Sequence, residues 1–532
     1  MSDIQRTDFM YLISTIVSTI QLNSAVVLGL VAALIAALAR RYSRSPWRKL
    51  PPGPRGWPFL GNALSLSGNQ WLTFNEWKNT YGDVVYLSAL GQPMIVLNTQ
   101  EAARELLDRR AGIYSDRPNN IVAAGVLCGG LAIFFQSYGP LWRKMRKATH
   151  EALNRGITGP FQPAQLREAV VLTCDMLTQP TTWRSHLQRA SSSMVMSVTY
   201  DTPPMEAEDD PIVKDVNEFS EHILRSAVPG AHLVEVFTWM KYIPSRFAKW
   251  KRDAEEAHAN FSRVFEDLYN SVGTKLANGI NRPSFSASLL KDAGHNQLSV
   301  RENAWLAATM YLAGAETTST ALEWWMLGIV AYPETQRRAQ TELDAVVGRT
   351  RIPTFADLPH LPYLYAMVKE ALRWGTLGPL GLPHRSTRDD WYQGMFIPAG
   401  TICIPNLWAM HRDPEIYGAD AHHFNPARFL DKEGQLKDAR EEGHLMYGFG
   451  RRVCVGRHVA NDSLFIDMAV MLWACTLEPA KDEGGEVVSI DVDGRIDVGL
   501  NVRPVPFSCS ATPRFQEAPS ILAGERELFQ EH

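Results

Sequence analysis

Within Tyr447-Gly448-Phe449-Gly450-Arg451-Arg452-Val453-Cys454-Val455-Gly456 a cysteine sits among arginines and glycines. A thiol there can serve as a redox group or metal ligand, both of which need the thiolate, or it can be a buried, inert side chain. Glycines at 448, 450 and 456 permit tight turns and close backbone approach to a bulky planar ligand. Beyond Gly456, Ala460, Leu464, Phe465, Met468, Met471, Leu472 and Cys475 recur at helical spacing. Cys454 is therefore expected just before a helix N-terminus, where the dipole and Arg452 would keep the sulfur anionic. A second stretch is Ala313-Gly314-Ala315-Glu316-Thr317-Thr318, inside an apolar helix expected to open at a Ser299/Glu302 capping box and to end before Pro333. Gly314 costs such a helix about 1 kcal/mol relative to Ala, and Thr317 and Thr318 can bond back to the preceding turn and distort it. Ordinary helix packing would account for the same residues. Two pairs at helical spacing complete the set: Trp142 with Arg146, and Glu370 with Arg373.

Taken together, these stretches resemble the cytochrome P450 family. The cysteine loop is similar to its F-x-x-G-x-R-x-C-x-G signature, with Tyr447 where Phe is usual and Val455 where many members have Pro. The resemblance implies that Cys454 is the axial ligand to the iron of haem b (iron protoporphyrin IX). It implies a groove at Gly314 where dioxygen binds, with Thr317 as hydrogen-bond donor and Glu316 in a proton relay. Trp142 and Arg146 resemble the W-x-x-x-R motif that holds haem propionates; His384, Arg452 and Arg117 are carried over as further cofactor-binding residues. Glu370 and Arg373 resemble the E-x-x-R motif, which Arg428 completes as a buried structural network. Leu377 to Leu382 and Val498-Gly499-Leu500 would line the substrate pocket.

The elements that must position these groups are legible in part. Leu22 to Ala39 is nearly all apolar, and Phe9 to Ile20 extends it, long enough to span a bilayer. Arg40, Arg41, Arg44, Arg48 and Lys49 follow, which places the body on the cytosolic side. A cleaved signal peptide is the rival reading, disfavoured by the length of the run and the position of the basic cluster. Pro51 to Pro58 reads as a stiff extended hinge. Val84 to Leu87 and Met94 to Leu97 form a hairpin around Gly91, with Thr99 capping a following helix. Residues 119 to 135 read as a pliable loop over an apolar pocket or as a buried connector. The aromatic cluster Phe237, Trp239, Met240, Tyr242 and Ile243 suits either a membrane interface or a core. Arg143, Lys144 and Lys147 would face outward, toward an acidic electron donor.

A chain of 532 residues, 45% hydrophobic, can bury a large core. Its net charge of -4 gives no reason to expect nucleic acid. Six cysteines without a C-x-x-C pair argue against a disulfide framework and a structural zinc site. The expected fold is α+β and predominantly helical, the cytochrome P450 fold with small β-sheets and an N-terminal transmembrane helix. Residues 1–45 are the luminal stub and anchor, 46–512 the haem domain with a hinge at 46–61, and 513–532 a polar tail. The resemblance implies a monooxygenase of the endoplasmic reticulum membrane, single-pass with its catalytic domain cytosolic. It would oxidise a lipophilic small molecule in fungal secondary metabolism, as terpenoid or polyketide tailoring enzymes do. Electrons would come from NADPH-cytochrome P450 reductase, with cytochrome b5 as a possible second donor, because no dinucleotide-binding G-x-G-x-x-G follows a strand in this chain. Rival readings are a haem-thiolate isomerase or dehydratase that needs no external electrons, and a membrane-tethered haem gas sensor.

Overall fold

A computed structural model describes residues 26–37, 39–66, 68–205, 211–228, 230–437 and 444–531. The chain divides into one unit comprising the residues up to Pro52 with Arg388–Ala399, and a second comprising Gly53–Thr387 with the residues from Gly400 onward. The boundary thus falls after Pro52 rather than after residue 45, and a segment from the expected catalytic domain goes with the N-terminal unit.

In the first unit, helix α1 (Val26–Arg44) has a mean hydropathy of 1.7, and none of that stretch is buried in the protein. Its length and composition suffice to cross a membrane. Arg40, Arg41 and Arg44 belong to its C-terminal end; Phe9–Ile20 and residues 22–25 of the expected anchor lie outside the described residues. Strands Asp390–Tyr392 and Met395–Ile397 form a small hairpin in this unit, with Trp47 edge-on to Phe396 at 6.2 Å.

The second unit begins where the hinge was expected, and its start is packed. A Cβ on Gly53 would lie 1.8 Å from the Tyr86 carbonyl oxygen, so the segment lies directly on strand β1 (Val84–Ala89). β1 pairs with β2 (Gln92–Leu97) around Leu90 and Gly91, both with positive φ, and Thr99 caps the next turn. Strands β3 (His384–Arg385) and β4 (Ile402–Pro405) extend this to a four-stranded sheet of order β1-β2-β4-β3.

Most of the unit is helical: α2 (Pro140–Leu153), α3 (Gln162–Thr178), α4 (Trp183–Tyr200), α5 (Pro211–Ala227), α6 (Lys249–Ala277), α7 (Val300–Ala331), α8 (Pro362–Gly375) and α9 (Arg457–Ala474). α7 opens at the Ser299/Glu302 capping box and stops short of Pro333. It runs through the core, burying Trp305, Trp324 and Trp325. Close packing explains its glycines and those facing it. A Cβ on Gly328 would come within 2.9 Å of the Phe424 ring, and one on Gly375 within 2.6 Å of Trp324. Gly375 is therefore the last residue of α8, required for helix-helix contact, and Thr376 with φ 46 makes the left-handed cap that glycine usually supplies. α9 is followed by β5 (Cys475–Pro479), β6 (Arg495–Asp497), β7 (Val502–Pro504) and β8 (Cys509–Pro513).

Two expectations change here. The polar tail is instead helix α10 (Ala518–Glu531), which buries Ala518 and Leu522 in the main core, while Phe515 packs on Trp473 at 5.0 Å. Of the two readings of residues 119–135, the structure departs from the pliable loop and is nearer the buried connector, with Val122, Ala123, Leu127, Cys128, Ala132 and Ile133 buried. Asn120 caps a wide-turn π-helix, Ile121–Leu127, and the Glu235 carboxylate accepts from the N–H groups of Ile121 and Val122 at 2.9 Å each.

The core also holds two neutral histidines in contact, His411 and His444, with rings 5.1 Å apart. Burial pushes His444 down to about 3 and His411 well below its ordinary value, with nearby Arg373 reinforcing both. An unfolded chain protonates them near pH 6.5, so between about 6.5 and 3 the unfolded state binds more protons and stability falls as pH falls. The expected result is a thermal unfolding midpoint that drops progressively below about pH 6.5, and drops less in His444→Gln. An equal drop in that variant would assign the acid sensitivity to other groups.

Candidate active site

The cysteine loop is built from two short 3-10 turns, Leu445–Tyr447 and Gly450–Arg452, separated by Gly448 with φ 80. Gly450 has φ 54, and a Cβ there would sit 2.2 Å from the Leu107 carbonyl oxygen, so contact with a neighbouring helical segment already requires this glycine. Asp108 accepts from the Gly450 N–H, and the Cys454 N–H donates to the Tyr447 carbonyl at 2.8 Å, closing the loop. The Tyr447 hydroxyl donates to Asn461 of α9 at 2.5 Å, a tie that phenylalanine could not make.

Cys454 lies at the start of α9, where the backbone N–H groups of Gly456 and Arg457 face its sulfur and favour the anion. Burial nevertheless raises the thiol above its ordinary value; those N–H groups and the charges of Arg146 and Arg457 only partly offset it. The helix start acts in the expected direction, but Arg452 is not among the charges that favour the thiolate, and that part of the expectation is corrected. Arg452 turns to backbone carbonyls instead, donating to Ser115 at 2.8 Å, Ile133 at 3.3 Å and Gln136 at 2.7 Å. Arg457, which spacing did not flag, takes its place: three residues after the cysteine, it donates to the Cys454 carbonyl at 3.1 Å.

Around this loop the structure gathers positive charge with little to balance it. Arg452 stacks on Trp142 at 4.3 Å. Arg117 donates to the carbonyls of Phe134, Leu382 and Pro383, at 3.0, 2.7 and 2.7 Å. Burial lowers Arg117 to about 9, reinforced by repulsion from Arg452, with Asp116 opposing. It likewise lowers Arg146 and Arg452 to about 10 each. His384 donates Nδ1–H to the Tyr114 carbonyl at 2.7 Å, and burial holds it neutral, down to about 3. Arg146 has no hydrogen-bond or ion-pair acceptor among the described residues, and neither has the indole N–H of the buried Trp142. Several fixed guanidiniums with one carboxylate nearby, plus two unused donors and a thiol at a helix start, form a donor set that fits a metal-bearing, carboxylate-bearing ligand such as haem. A cation at Cys454 would displace the thiol proton, as thiolate ligation does generally.

On α7, Ala313 is exposed and Thr317 half-exposed in the middle of an otherwise largely buried helix. Thr317 Oγ1 donates back to the Ala313 carbonyl at 2.7 Å, yet the helix is unbroken from Val300 to Ala331. Gly314 is explained by packing: a Cβ would lie 3.1 Å from Val195 of α4. Glu316 belongs to a different face and pairs with Arg503 at 3.5 Å. It opens on a cavity of about 780 Å³, also lined by Gln188, Ser192, Asn217, Ser319 and Arg503. This polar cavity is not the apolar pocket expected from Leu377 to Leu382, and of Val498 to Leu500 only Val498 reaches it.

Glu370, Arg373 and Arg428 come together in the core. Glu370 accepts from Arg373 twice at 2.7 Å, from Arg428 at 3.0 Å and from the Asn425 N–H at 2.7 Å. All six cysteines are free.

A largely helical domain with small sheets and a cysteine loop leading into a core helix defines a haem-thiolate type of protein. The sequence matches the cytochrome P450 family profile over residues 51–493, and the chain belongs to that family. It is 58% identical to a cytochrome P450 monooxygenase of Armillaria gallica over 94% of this chain and 96% of that one. It is 45% identical to cytochrome P450 monooxygenase 58 of Postia placenta over 94% and 96% of the two chains. To cytochrome P450 monooxygenase iboC of Amanita muscaria it is 40% identical, over 94% and 97%. The protein is accordingly an oxidoreductase of the monooxygenase type whose family uses haem, takes electrons from a redox partner and acts on lipophilic substrates.

Proposed function

We propose that this chain inserts one oxygen atom from dioxygen into a lipophilic small molecule, and that Cys454 would hold the iron of haem b through its thiolate. The observation that carries the reading is the Cys454 thiol facing the N–H groups of Gly456 and Arg457 beside an unbalanced set of arginines. When bound, the haem supplies oxygen activation, which thiolate ligation favours by donating electron density. Trp142, Arg146, Arg117, Arg452 and His384 would hold its carboxylates. His384 donates only once while neutral, through Nδ1 to Tyr114, so it would engage a carboxylate through Nε2 only by taking up a proton.

The protein's part in the chemistry is binding, exclusion of water and proton management. Thr317 would turn its hydroxyl from the Ala313 carbonyl toward the reacting oxygen, and Glu316 would pass protons from the polar cavity. Glu370, Arg373 and Arg428 would keep the cysteine loop in register. NADPH-cytochrome P450 reductase is the proposed donor, with cytochrome b5 as a second one, docking on exposed Arg143, Lys144 and Lys147 of α2. The relatives' fungal origin supports a fungal setting, and the proposed role there is tailoring of a terpenoid or polyketide in secondary metabolism. α1, with exposed Phe237, Trp239 and Tyr242 beside Lys241 and Arg246, supports attachment to the endoplasmic reticulum membrane with the catalytic domain cytosolic.

The deciding measurement is the reduced, carbon-monoxide-bound absorption spectrum of the membrane fraction. A thiolate-type red-shifted band is expected; a histidine-type spectrum or a folded protein without haem would overturn the reading. Thr317→Ala is expected to keep that band while releasing more hydrogen peroxide per NADPH; unchanged coupling would remove Thr317 from the proton path.

A further inference from the structure

Glu316 and Glu323 stand seven residues apart on α7, two helical turns, and so share a face. Glu323 is completely buried in a helix whose neighbouring residues are apolar, which demands a partner. That partner is Arg503 of β7. One guanidinium nitrogen lies 3.5 Å from Glu316 Oε1 and the other 3.4 Å from Glu323 Oε1. Arg184, at the start of α4, approaches Glu323 Oε2 at 3.3 Å and donates to the Pro504 carbonyl at 3.3 Å.

The backbone carrying Arg503 is fixed. Val502 donates to the Leu377 carbonyl at 2.7 Å and accepts from the Trp324 indole at 2.8 Å, and β7 pairs with β6. Only the side chain is free to choose between acids. The contacts are long beside the ~2.7–2.9 Å of charge-assisted hydrogen bonds, and both Glu323 oxygens are buried without a hydrogen bond among the described residues. A shared guanidinium held loosely by two carboxylates can move fully to either. The charged groups facing Glu323 are Arg503, Arg184 and Glu316; burial raises its carboxyl, the two arginines lower it, and Glu316 raises it.

We infer that Arg503 is the positioning residue that aims Glu316 into the polar cavity, and that buried Glu323 anchors Arg503 and sets how tightly Glu316 is held. The inference rests on the reading of Glu316 as the proton carrier. Withdrawing the charge of Glu323 gives Arg503 wholly to Glu316 and pins it in the cavity; withdrawing Arg503 lets Glu316 go and leaves Glu323 buried beside a like charge.

The test compares full-length R503K, R503Q, E323Q and E316Q, each with the reduced, carbon-monoxide-bound spectrum as the check of an intact site. Two readouts follow. One is the share of NADPH electrons released as hydrogen peroxide, with reductase and no added substrate, in H2O and D2O. The other is the carboxylic-acid C=O band in pH-difference infrared spectra, assigned to Glu323 by its loss in E323Q. R503Q and E323Q are expected to raise the peroxide share as E316Q does, with R503K restoring it, and R503Q to keep the Glu323 band to higher pH than wild type. A wild-type peroxide share in R503Q, where E316Q raises it, overturns the role of Arg503 and leaves Glu316 standing. A Glu323 band that R503Q does not shift overturns the anchor. If R503Q loses the intact spectrum, E323Q decides, an unchanged share overturning the inference. A wild-type share in E316Q removes Glu316 from the proton path and this inference with it.

Discussion

Cys454→Ser should fold, lose the thiolate-type carbon-monoxide spectrum and lose monooxygenase turnover. The exchange of sulfur for oxygen hardly changes volume, and the contacts that shape the loop do not depend on the side chain. The Cys454 N–H closes on the Tyr447 carbonyl, Gly450 seats on Leu107, and Tyr447 is tied to Asn461. What changes is proton affinity. Burial already raises the thiol, against the N–H groups of Gly456 and Arg457 and the charges of Arg146 and Arg457. A hydroxyl begins several units above a thiol and meets the same desolvation, so the same donors cannot make an alkoxide of it at neutral pH. Arg146 should feel the change too, because the charge at position 454 is what opposes its burial. The measurement is the reduced, carbon-monoxide-bound spectrum beside product formation with the reductase. A thiolate-type band in Cys454→Ser would place the ligand elsewhere, and the five other cysteines, of which Cys128, Cys403, Cys475 and Cys509 are buried with strongly raised thiols, would have to be tested.

Much of this site can be read from local pattern because local chemistry fixes it. The Ser299/Glu302 box and Pro333 bound α7, Pro140 opens α2, and the apolar period after Gly456 gives α9. Glycine is where spacing says least: Gly314 and Gly450 read as a groove and a ligand contact, yet a Cβ at either would meet a tertiary neighbour, Val195 or Leu107. No sequence window contains those neighbours. Arg452 misleads for the same reason, since its carbonyl partners at 115, 133 and 136 lie more than 300 residues away. The C-terminal helix escapes a pattern reading because Ala518 and Leu522 give only a thin apolar stripe among charges. One further signal does lie in the sequence. A lone glutamate at 323 amid Ala321, Leu322, Trp324 and Trp325 cannot be buried unpaired, and so implies an arginine from elsewhere in the chain.

Glu370→Gln should destabilise the fold more than Cys454→Ser, Thr317→Ala or His444→Gln. The carboxylate of Glu370 is fully buried and receives four donors from Arg373, Arg428 and the Asn425 backbone. Arg373 is fully buried as well, and its remaining donors reach the carbonyls of His411 and Ala421 at 2.7 Å and His423 at 3.1 Å. Replacing the carboxylate by an amide removes one negative charge and turns an acceptor into a donor facing guanidinium. Arg428 keeps Asp420, but Arg373 is then left without a carboxylate in a region that already crowds Arg412 and His411 against it. Breaking a buried pair in this way costs about 3–5 kcal/mol, a large part of the ~5–15 kcal/mol by which a folded domain is stable. The exposed pair of Arg109 with Glu105 is a fair contrast, because solvent screening and side-chain entropy cancel most of what an i,i+4 surface pair gains, and Arg109→Ala should be nearly silent. The damage should also reach the cysteine loop. The His411 carbonyl is held by Arg373, its ring rests on His444, and His444 caps the turn that leads to Tyr447 and so to Cys454. Thermal unfolding and haem retention measured together should therefore fall together in Glu370→Gln. A variant as stable as wild type would mean that carbonyls satisfy Arg373 and that Asp420 suffices for Arg428, and a stable variant that loses only haem would make the network a property of the site rather than of the fold.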